Sequence, residues 1–267
     1  MHIVVCTKQT PDSEAKMSVD DAGNVSWGES PLIINPWDEY AVEEALTLRD
    51  EHDGEVTVIS VGPEEALEAL KHAVAMGCNK AIRVWDDACV GSDTLATSYL
   101  LAKVIEKLGD VDLILFGKSA IDAQTWQVGA AVARRLGIPS LMYTIAITEL
   151  DPDEDEMTIS VERLLEEGRQ KVTASLPAVV GTTKGINEPR YTSFIGIRKA
   201  AKMKYPLWSL DDAGAEADKV GASGSGVRWP QVFAPPAREG EAEIIEAETV
   251  EESAAILVDK LLAEKVI

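Results

Sequence analysis

Over roughly the first 150 residues, short runs of apolar and mostly β-branched residues alternate with longer segments of helical periodicity. The runs occupy residues 3–6, 56–61, 81–85, 113–116 and 142–147. Strands that alternate with helices form parallel sheets covered by helices on both faces, and uninterrupted apolar strands fit a sheet that is buried on both sides. The pattern therefore predicts an α/β fold with a doubly wound, mostly parallel sheet.

Capping residues mark the helix boundaries. Asn35 is expected to cap the first helix, Pro36 occupies its first position, and Gly54 can end it in a left-handed conformation. Three further helices are predicted over residues 63–76, 93–108 and 125–136, each followed by a glycine.

Residues after 150 follow a different pattern. Residues 157–163 and 170–175 alternate in polarity around a turn, which predicts an added β-hairpin, and residues 176–180 predict another buried strand. A smaller hairpin is predicted around residues 20–23. Residues 213–240 are rich in Gly, Ala, Ser and Pro and predict an extended linker, whereas residues 248–267 return to helical spacing.

The composition disfavours several classes of partner and site. Lys and Arg number 25 against 46 Asp and Glu, which gives a net charge of -21, so nucleic acids and anionic membranes would be repelled. No run approaches the ~20 apolar residues of a membrane helix, and the amino terminus lacks a signal-peptide pattern. Three irregularly spaced cysteines predict neither a metal site nor disulfides, and fit a reduced, cytoplasmic protein.

The most informative segment follows the apolar run at 113–116. Residues 117–122 form a loop of small and polar residues before the helix expected at Thr125. Ligands of open parallel sheets bind beyond the carboxyl ends of the strands, and a helix start offers N–H groups to a phosphate. Cys6 and residues 35–38 and 60–62 belong to segments that face the same edge. Together they predict a nucleotide crevice, although the loop taken alone is more simply explained as an ordinary strand-to-helix turn capped by Thr125.

No catalytic constellation accompanies this crevice. His2, His52 and His72 have no spacing suited to metal or triad chemistry, and no nucleophile-elbow or metalloprotease motif occurs. The sequence therefore favours a binding protein or a carrier over a hydrolase.

An ordered set of segments resembles the β subunit of electron transfer flavoproteins over about residues 1–201. The set comprises Lys8, Asn35-Pro36, Glu39, residues 41–45 and 75–77, Gly117-Lys118, Ala120-Ile121-Asp122, Gln127, Gly129, and residues 161–163, 176–180 and 187–191. The resemblance implies an adenine-nucleotide-hydrolase-like, Rossmann-type α/β fold. It also implies a heterodimer in which the α subunit holds most of an FAD above the β subunit.

The activity implied by the resemblance is electron transfer without catalytic residues of the chain's own. Electrons would pass from acyl-CoA or similar dehydrogenases, through the shared FAD, to a quinone-linked oxidoreductase. The chain divides accordingly into a nucleotide-binding domain over residues 1–205, with a recognition loop at 185–204, and a C-terminal arm and helix over 206–267 that dock on the α subunit.

The resemblance further implies a structural AMP in the crevice and a set of recognition residues. The implied nucleotide contacts are Cys6, Asn35, Pro36, Trp37, Asp38, Val61, Gly62, Gly117, Lys118, Ser119, Ala120, Ile121, Asp122, Thr125, Trp126, Gln127 and Val128. The implied contacts with partner dehydrogenases are Arg190, Tyr191, Phe194, Ile195 and Lys199.

Two alternatives stay open. An electron-bifurcating member would hold a second FAD in the crevice and accept hydride from NADH; Thr125, Gln127 and Val128 match that type, but Trp126 stands where it has alanine. A stand-alone adenine-nucleotide-binding module shares the crevice but has no use for the basic loop around Phe194.

Leu164 stands where many members have a glutamate that contacts the flavin domain, which leaves the resting orientation of that domain open.

Overall fold

The computed structural model describes residues 1–151, 157–236 and 242–267. Its strands are β1 (His2–Thr7), β2 (Gln9–Pro11), β3 (Ser18–Val19), β4 (Val25–Ser26), β5 (Leu32–Ile34), β6 (Glu55–Val61), β7 (Lys80–Val84), β8 (Leu113–Gly117), β9 (Ser140–Asp151), β10 (Thr158–Leu165), β11 (Gly168–Ser175), β12 (Ala178–Thr182) and β13 (Leu207–Trp208). Its helices are α1 (Pro36–Glu51), α2 (Leu67–Met76), α3 (Thr94–Leu108), α4 (Val128–Leu136), α5 (Phe194–Lys202), α6 (Leu210–Ala213), α7 (Gly221–Gly224) and α8 (Val250–Ala263).

A nine-stranded sheet forms the centre of the fold, in the order β11-β10-β9-β12-β8-β1-β6-β7-β13. Seven neighbouring strands are mutually parallel, in the order β9-β12-β8-β1-β6-β7-β13. Strands β10 and β11 form an antiparallel hairpin at the edge beside β9. This arrangement confirms the predicted mostly parallel α/β class and its added hairpin. The small hairpin expected around residues 20–23 is also present, as β3 and β4.

Helices cover both faces of the sheet. Successive side chains of β1 point to opposite faces: Ile3 and Val5 pack in a core with α1, α2 and α5, whereas Val4 and Cys6 pack in a second core with α3, α4 and α6. Each core is made of fully buried branched and small side chains, as the apolar strands predicted. The sheet is therefore doubly wound.

The strand order reverses between β1 and β8. The chain leaves the carboxyl end of β1 and reaches α1 on the first face, and leaves the carboxyl end of β8 and reaches α4 on the second face. In open α/β sheets, this reversal opens a crevice beyond the strand ends, which is the usual ligand site. The topology thus fixes where a binding site is expected.

The start of the fourth helix differs from the sequence prediction. Helix α4 begins at Val128 and not at Thr125. Gln124 and Trp126 have φ values of +48° and +62°, so the backbone on either side of Thr125 is left-handed and cannot continue a right-handed helix. The segment before Val128 is instead part of the loop at the crevice.

The predicted linker over residues 213–240 is wrong in its first half. Strand β13 pairs with β7 at the edge of the sheet, α6 lies against α3, and Val220 is fully buried in the second core. Residues 206–226 therefore continue the packed domain beyond the expected boundary at 205. Residues 237–240 of the predicted linker lie outside the described residues. The expected C-terminal helix is present as α8, and its apolar side chains, among them Leu257 and Leu262, are exposed.

Candidate functional site

The residues proposed to contact a nucleotide lie along one edge of the sheet. Cys6 is near the end of β1, Val61 ends β6 and Gly117 ends β8, three neighbouring parallel strands. Asn35–Asp38 form the start of α1, and residues 118–127 connect β8 to α4. The structure therefore brings the separate segments to the edge where the strand order reverses.

Asn35 joins the two sides of this edge. Its side chain donates to the carbonyl of Ser119 at 2.8 Å and accepts from the N–H of Ile121 at 3.1 Å. Because both groups of the amide are used in this way, Asn35 makes no side-chain cap of α1 among the described residues, contrary to the expectation. The side chain instead fixes the loop after β8 beside the first turn of α1.

Asp38 is a buried carboxylate in the wall between β1 and β8. Its Oδ2 accepts from the N–H of Lys8 at 2.7 Å, and the N–H of Gly117 also donates to it. Burial raises the pKa of Asp38 to about 7, although these hydrogen bonds act in the opposite direction. Asp38 thus ties the ends of β1 and β8 to the start of α1.

Glycine is required at position 117, where the end of β8 lies directly against the start of α1. A Cβ atom at position 117 would lie 2.5 Å from Asp38 Oδ1 and 2.5 Å from the backbone carbon of Trp37. Backbone atoms at that distance leave no space for a side chain. The close approach of β8 to α1 therefore depends on glycine.

Two lysines cross the mouth of the crevice. Lys8 Nζ lies 2.5 Å from Asp122 Oδ2, which joins the end of β1 to the loop after β8. Lys118 Nζ lies 3.9 Å from the ring centroid of Trp37 and 4.5 Å from that of Trp126. Asp122 compensates the charge of Lys8, whereas Lys118 has no carboxylate partner among the described residues and brings a positive charge to the carboxyl edge of a strongly acidic chain, which suits an anionic ligand.

The start of α4 also suits an anion. Within the described chain, Gln127 makes no side-chain cap; its Oε1 instead accepts from Thr94 Oγ1 at 3.0 Å. The first N–H groups of α4 therefore keep their partial positive charge beside the loop. Lys118, an uncapped helix start and a glycine-containing strand end together suit the phosphate and sugar of a nucleotide.

The chemistry of the site is that of binding. Burial raises the pKa of the Cys6 thiol far above its usual value, so the thiol stays protonated and is no nucleophile. No group of three or more His, Cys, Asp or Glu side chains in the described ranges could hold a metal ion. A shallow pocket at the opposite, amino-terminal edge is lined by residues such as His2, Glu55 and Lys80 and contains none of the proposed site residues.

The proposed recognition segment is partly helical. Residues 185–193 run along the surface and α5 follows, packed against α2. Tyr191, Phe194 and Ile195 are 99%, 89% and 83% exposed, which leaves three large apolar side chains next to one another in water. Such a patch is typical of a protein interface.

Two of the proposed recognition residues are engaged within the chain. The Arg190 guanidinium donates to both oxygens of Glu43 on α1, at 2.8 and 2.9 Å, and the Arg190 N–H donates to the same carboxylate at 3.0 Å. Lys199 Nζ donates to the carbonyl of Cys78 at 3.3 Å. Beside them, the Asn187 side chain donates to Glu44 and to the carbonyl of Tyr40. Arg190, Asn187 and Lys199 therefore anchor the segment that carries the apolar patch.

This anchor gives a prediction for stability. Arg190→Ala keeps the backbone N–H that donates to Glu43 but leaves this carboxylate, only 10% exposed, without its charged partner, so the free energy of unfolding should fall by about 2–3 kcal/mol in denaturant titrations. Adding Glu43→Gln should restore part of the loss, because the buried charge is then removed as well. Lys171→Ala, which breaks an exposed pair with Glu149, is the matched control and should cost below about 1 kcal/mol. Equal losses for the two single variants would contradict the anchoring role.

Comparison with known proteins agrees with the α/β fold. The family model described as "Electron transfer flavoprotein domain" matches residues 28–213, which include α1, β8 and the whole loop at the crevice. The chain belongs to the electron transfer flavoprotein family, as a β-type subunit. No helix in the described ranges is long and apolar enough to cross a membrane.

Several relatives match this β-type subunit over nearly their whole length. Protein FixA of Azorhizobium caulinodans is 40% identical over 92% of this chain and 89% of its own. The Caffeyl-CoA reductase-Etf complex subunit CarD of Acetobacterium woodii is 38% identical, and the electron transfer flavoprotein subunit beta of Megasphaera elsdenii is 37% identical, each over 100% of both chains. The similarity thus includes the C-terminal arm as well as the sheet.

Proposed function

We propose that this β-type subunit holds AMP in the crevice between β1 and β8 and, with an α subunit, positions the FAD through which electrons pass. The observation that carries the proposal is the junction made by Asn35 and Asp38, which fixes the loop after β8 against the start of α1. The AMP would be structural, since binding to the folded state alone stabilises that state.

The flavin would supply the redox chemistry, and the chain's residues would bind and orient. The N–H groups at the start of α4 and the Lys118 ammonium would hold the phosphate. The exposed helix α8, at the end of the arm, would dock on the α subunit, because a helix whose apolar residues lie in water needs a partner surface. The assembled heterodimer would act in the cytoplasm.

The exposed patch of Tyr191, Phe194 and Ile195 would dock on partner dehydrogenases of the acyl-CoA class. Large apolar side chains at the centre of an interface carry most of its binding energy. The name of the relative CarD, a subunit of a caffeyl-CoA reductase complex, supports a CoA-ester enzyme as the partner class. Electrons would leave the flavin for a quinone-linked oxidoreductase.

A second candidate is the bifurcating type, with a second FAD in the same crevice that accepts hydride from NADH. The loop from Asp122 to Gln127 is exposed, so the crevice is open toward solvent and would admit a group larger than AMP. The stand-alone nucleotide-binding module has less support, because it leaves both the exposed patch and α8 without a role.

Cofactor analysis separates these candidates. The chain is co-expressed with its α subunit, the complex is purified, and nucleotides released by acid are identified by mass and absorbance. One FAD and one AMP for each heterodimer would support the first proposal, and two FAD would support the bifurcating type. A stable homodimer that binds ATP and recruits no flavoprotein would overturn both.

The recognition role predicts a selective defect for Phe194→Ala. Removing a central apolar anchor typically costs ~2 kcal/mol or more in binding, so electron transfer from the dehydrogenase should require roughly 30-fold more partner for the same rate. Flavin and nucleotide contents should stay unchanged. Val90→Ala, which truncates an exposed apolar side chain outside this segment, is the control and should leave the rate unchanged. A Phe194→Ala variant with the wild-type rate at limiting partner would remove Phe194 from the interface.

A further inference from the structure

A lysine between two tryptophans spans the crevice. Trp37 lies in the first turn of α1 and Trp126 in the loop before α4, on opposite sides of the point where the strand order reverses. The Lys118 ammonium is 3.9 Å from one ring centroid and 4.5 Å from the other, so the two centroids are at most about 8.4 Å apart. The Lys118 side chain therefore lies in the gap between the two indole rings.

A planar ring fits this gap after a small opening. Stacked aromatic rings prefer centroid separations of about 4.5–7 Å, whereas a ring placed midway between these indoles would lie at most about 4 Å from each centroid. The indoles therefore have to open by about 1 Å or more to bring both separations into the preferred range. Trp126 can move by that amount, because its side chain is 39% exposed and it belongs to the exposed loop before α4. Tyr143, with its centroid 5.8 Å away, supports the indole.

Lys118 can leave the gap without disturbing the fold. Its N–H donates to the carbonyl of Thr182 at 2.9 Å, so the backbone is held by the neighbouring strand while the side chain is not. In the described part of the chain no carboxylate lies within ion-pair distance of Lys118, whereas the nearby Lys8 is paired with Asp122. The Lys118 ammonium is therefore the charge available to a phosphate, and a charge-assisted contact would exceed the exposed cation–π contacts that it replaces.

We propose that Trp37 and Trp126 form a clamp for the planar ring of a phosphorylated nucleotide, and that Lys118 moves from this clamp to the phosphate when the ring enters. The inference rests on the proposed nucleotide site and adds a positioning role for Trp37, Lys118 and Trp126, of which Trp126 stands where the bifurcating type has alanine. Trp126 selects for a planar ring, and Lys118 selects for a phosphate attached to it.

The test compares ligands with and without the phosphate. The complex with the α subunit is stripped of nucleotide, and the affinities for AMP, adenosine, FMN and riboflavin are measured by calorimetry. Trp126→Ala should weaken AMP and adenosine by the same factor, roughly ten-fold, whereas Trp126→Phe should stay within about three-fold of wild type. Lys118→Met should weaken AMP roughly ten-fold but leave adenosine at least as tightly bound as in wild type, because the competing side chain is gone. The same pattern with FMN and riboflavin in place of the adenine pair would identify the flavin ring as the occupant.

Two results would overturn the clamp while leaving the nucleotide site intact. One is wild-type affinity for both AMP and FMN in Trp126→Ala. The other is a Lys118→Met variant that weakens the phosphorylated and unphosphorylated ligands alike, or neither. A wild-type complex that binds none of the four ligands would instead overturn the proposed function itself. Melting temperatures close to wild type for all three variants establish that the comparison concerns binding and not folding.

Discussion

Asp38→Asn should become more stable relative to the wild type as the pH rises from about 5 to about 8. The reason is the buried carboxylate, whose pKa is raised to about 7 in the folded protein, against an ordinary value near 4 in the unfolded chain. Between these two values the folded state keeps a proton that the unfolded state has lost. The stabilising contribution of Asp38 is therefore greatest at low pH and is lost as the pH approaches 7.

The expected change in relative stability with pH follows from the raised pKa of Asp38. Each pH unit below about 7 changes the difference in unfolding free energy between the two proteins by about 1.4 kcal/mol, so the total between about pH 5 and about pH 8 is roughly 3 kcal/mol. Denaturant titrations of both proteins at four pH values measure it. Subtracting the unfolding free energy of the wild type from that of Asp38→Asn at each pH cancels the contribution of the other acidic groups, which titrate in both proteins. A difference that does not change with pH would mean that Asp38 is ionised throughout this range.

Gly117→Ala should unfold more easily and lose the crevice nucleotide. The added methyl group meets backbone carbon and oxygen of Trp37 at 2.5 and 2.6 Å, and neither can move without displacing the first turn of α1. Overpacking of this kind costs about 3 kcal/mol when backbone has to shift. The shift would also disturb Asp38 and Asn35, so the nucleotide content of the purified complex should fall together with the stability.

Gly181→Ala is the matched control for this prediction. Gly181 lies on β12 directly beside Phe116, and its added methyl would meet the sulfur of Met142 at 2.7 Å. A flexible methionine side chain can move aside, so the cost should stay below about 1 kcal/mol and the nucleotide content should not change. If Gly117→Ala equals Gly181→Ala in both stability and nucleotide content, the close approach of β8 to α1 is not needed for the site.

The sheet and most helix ends could be predicted from sequence because they depend on local signals. The apolar runs became β1, β6, β7, β8 and β9. The first four are mostly buried, as expected of apolar strands covered on both faces, whereas β9 is only partly buried. Gly77, Gly109 and Gly137 end their helices with positive φ, as their positions after apolar periodic segments predicted.

The sequence predicted that the segments of the candidate site meet at one edge of the sheet but not how they contact one another, because these contacts join residues far apart in the chain. Asn35 stands where a helix cap is expected, yet its amide binds residues 84 and 86 positions away, which a local rule does not foresee. The left-handed backbone at Gln124 and Trp126 carries no glycine signal, so the start of α4 was placed too early. Arg190 suggested an exposed recognition residue, and its pairing with Glu43 depends on the tertiary fold.

The small residues after position 213 led to the wrong prediction of an extended linker, again because the tertiary packing of this segment is not visible in its local sequence. Gly, Ala and Ser are typical of linkers, but they also allow close packing where space is limited. At Gly221 a Cβ would lie 3.0 Å from the carbonyl oxygen of Val90, so glycine lets the segment lie directly on the domain. Composition alone does not separate these two uses of small residues.

Diffraction from crystals of the complex with the α subunit is the decisive measurement for the nucleotide site. We expect density for one adenylate, as AMP or as part of FAD, at the carboxyl edge of β1 and β8, between the loop after β8 and the first turn of α1. Its ring should lie between Trp37 and Trp126, and its phosphate near Lys118 and the start of α4. Density that shows the loop and α1 apart, or the crevice filled by the chain's own side chains in the fully loaded complex, would contradict this expectation.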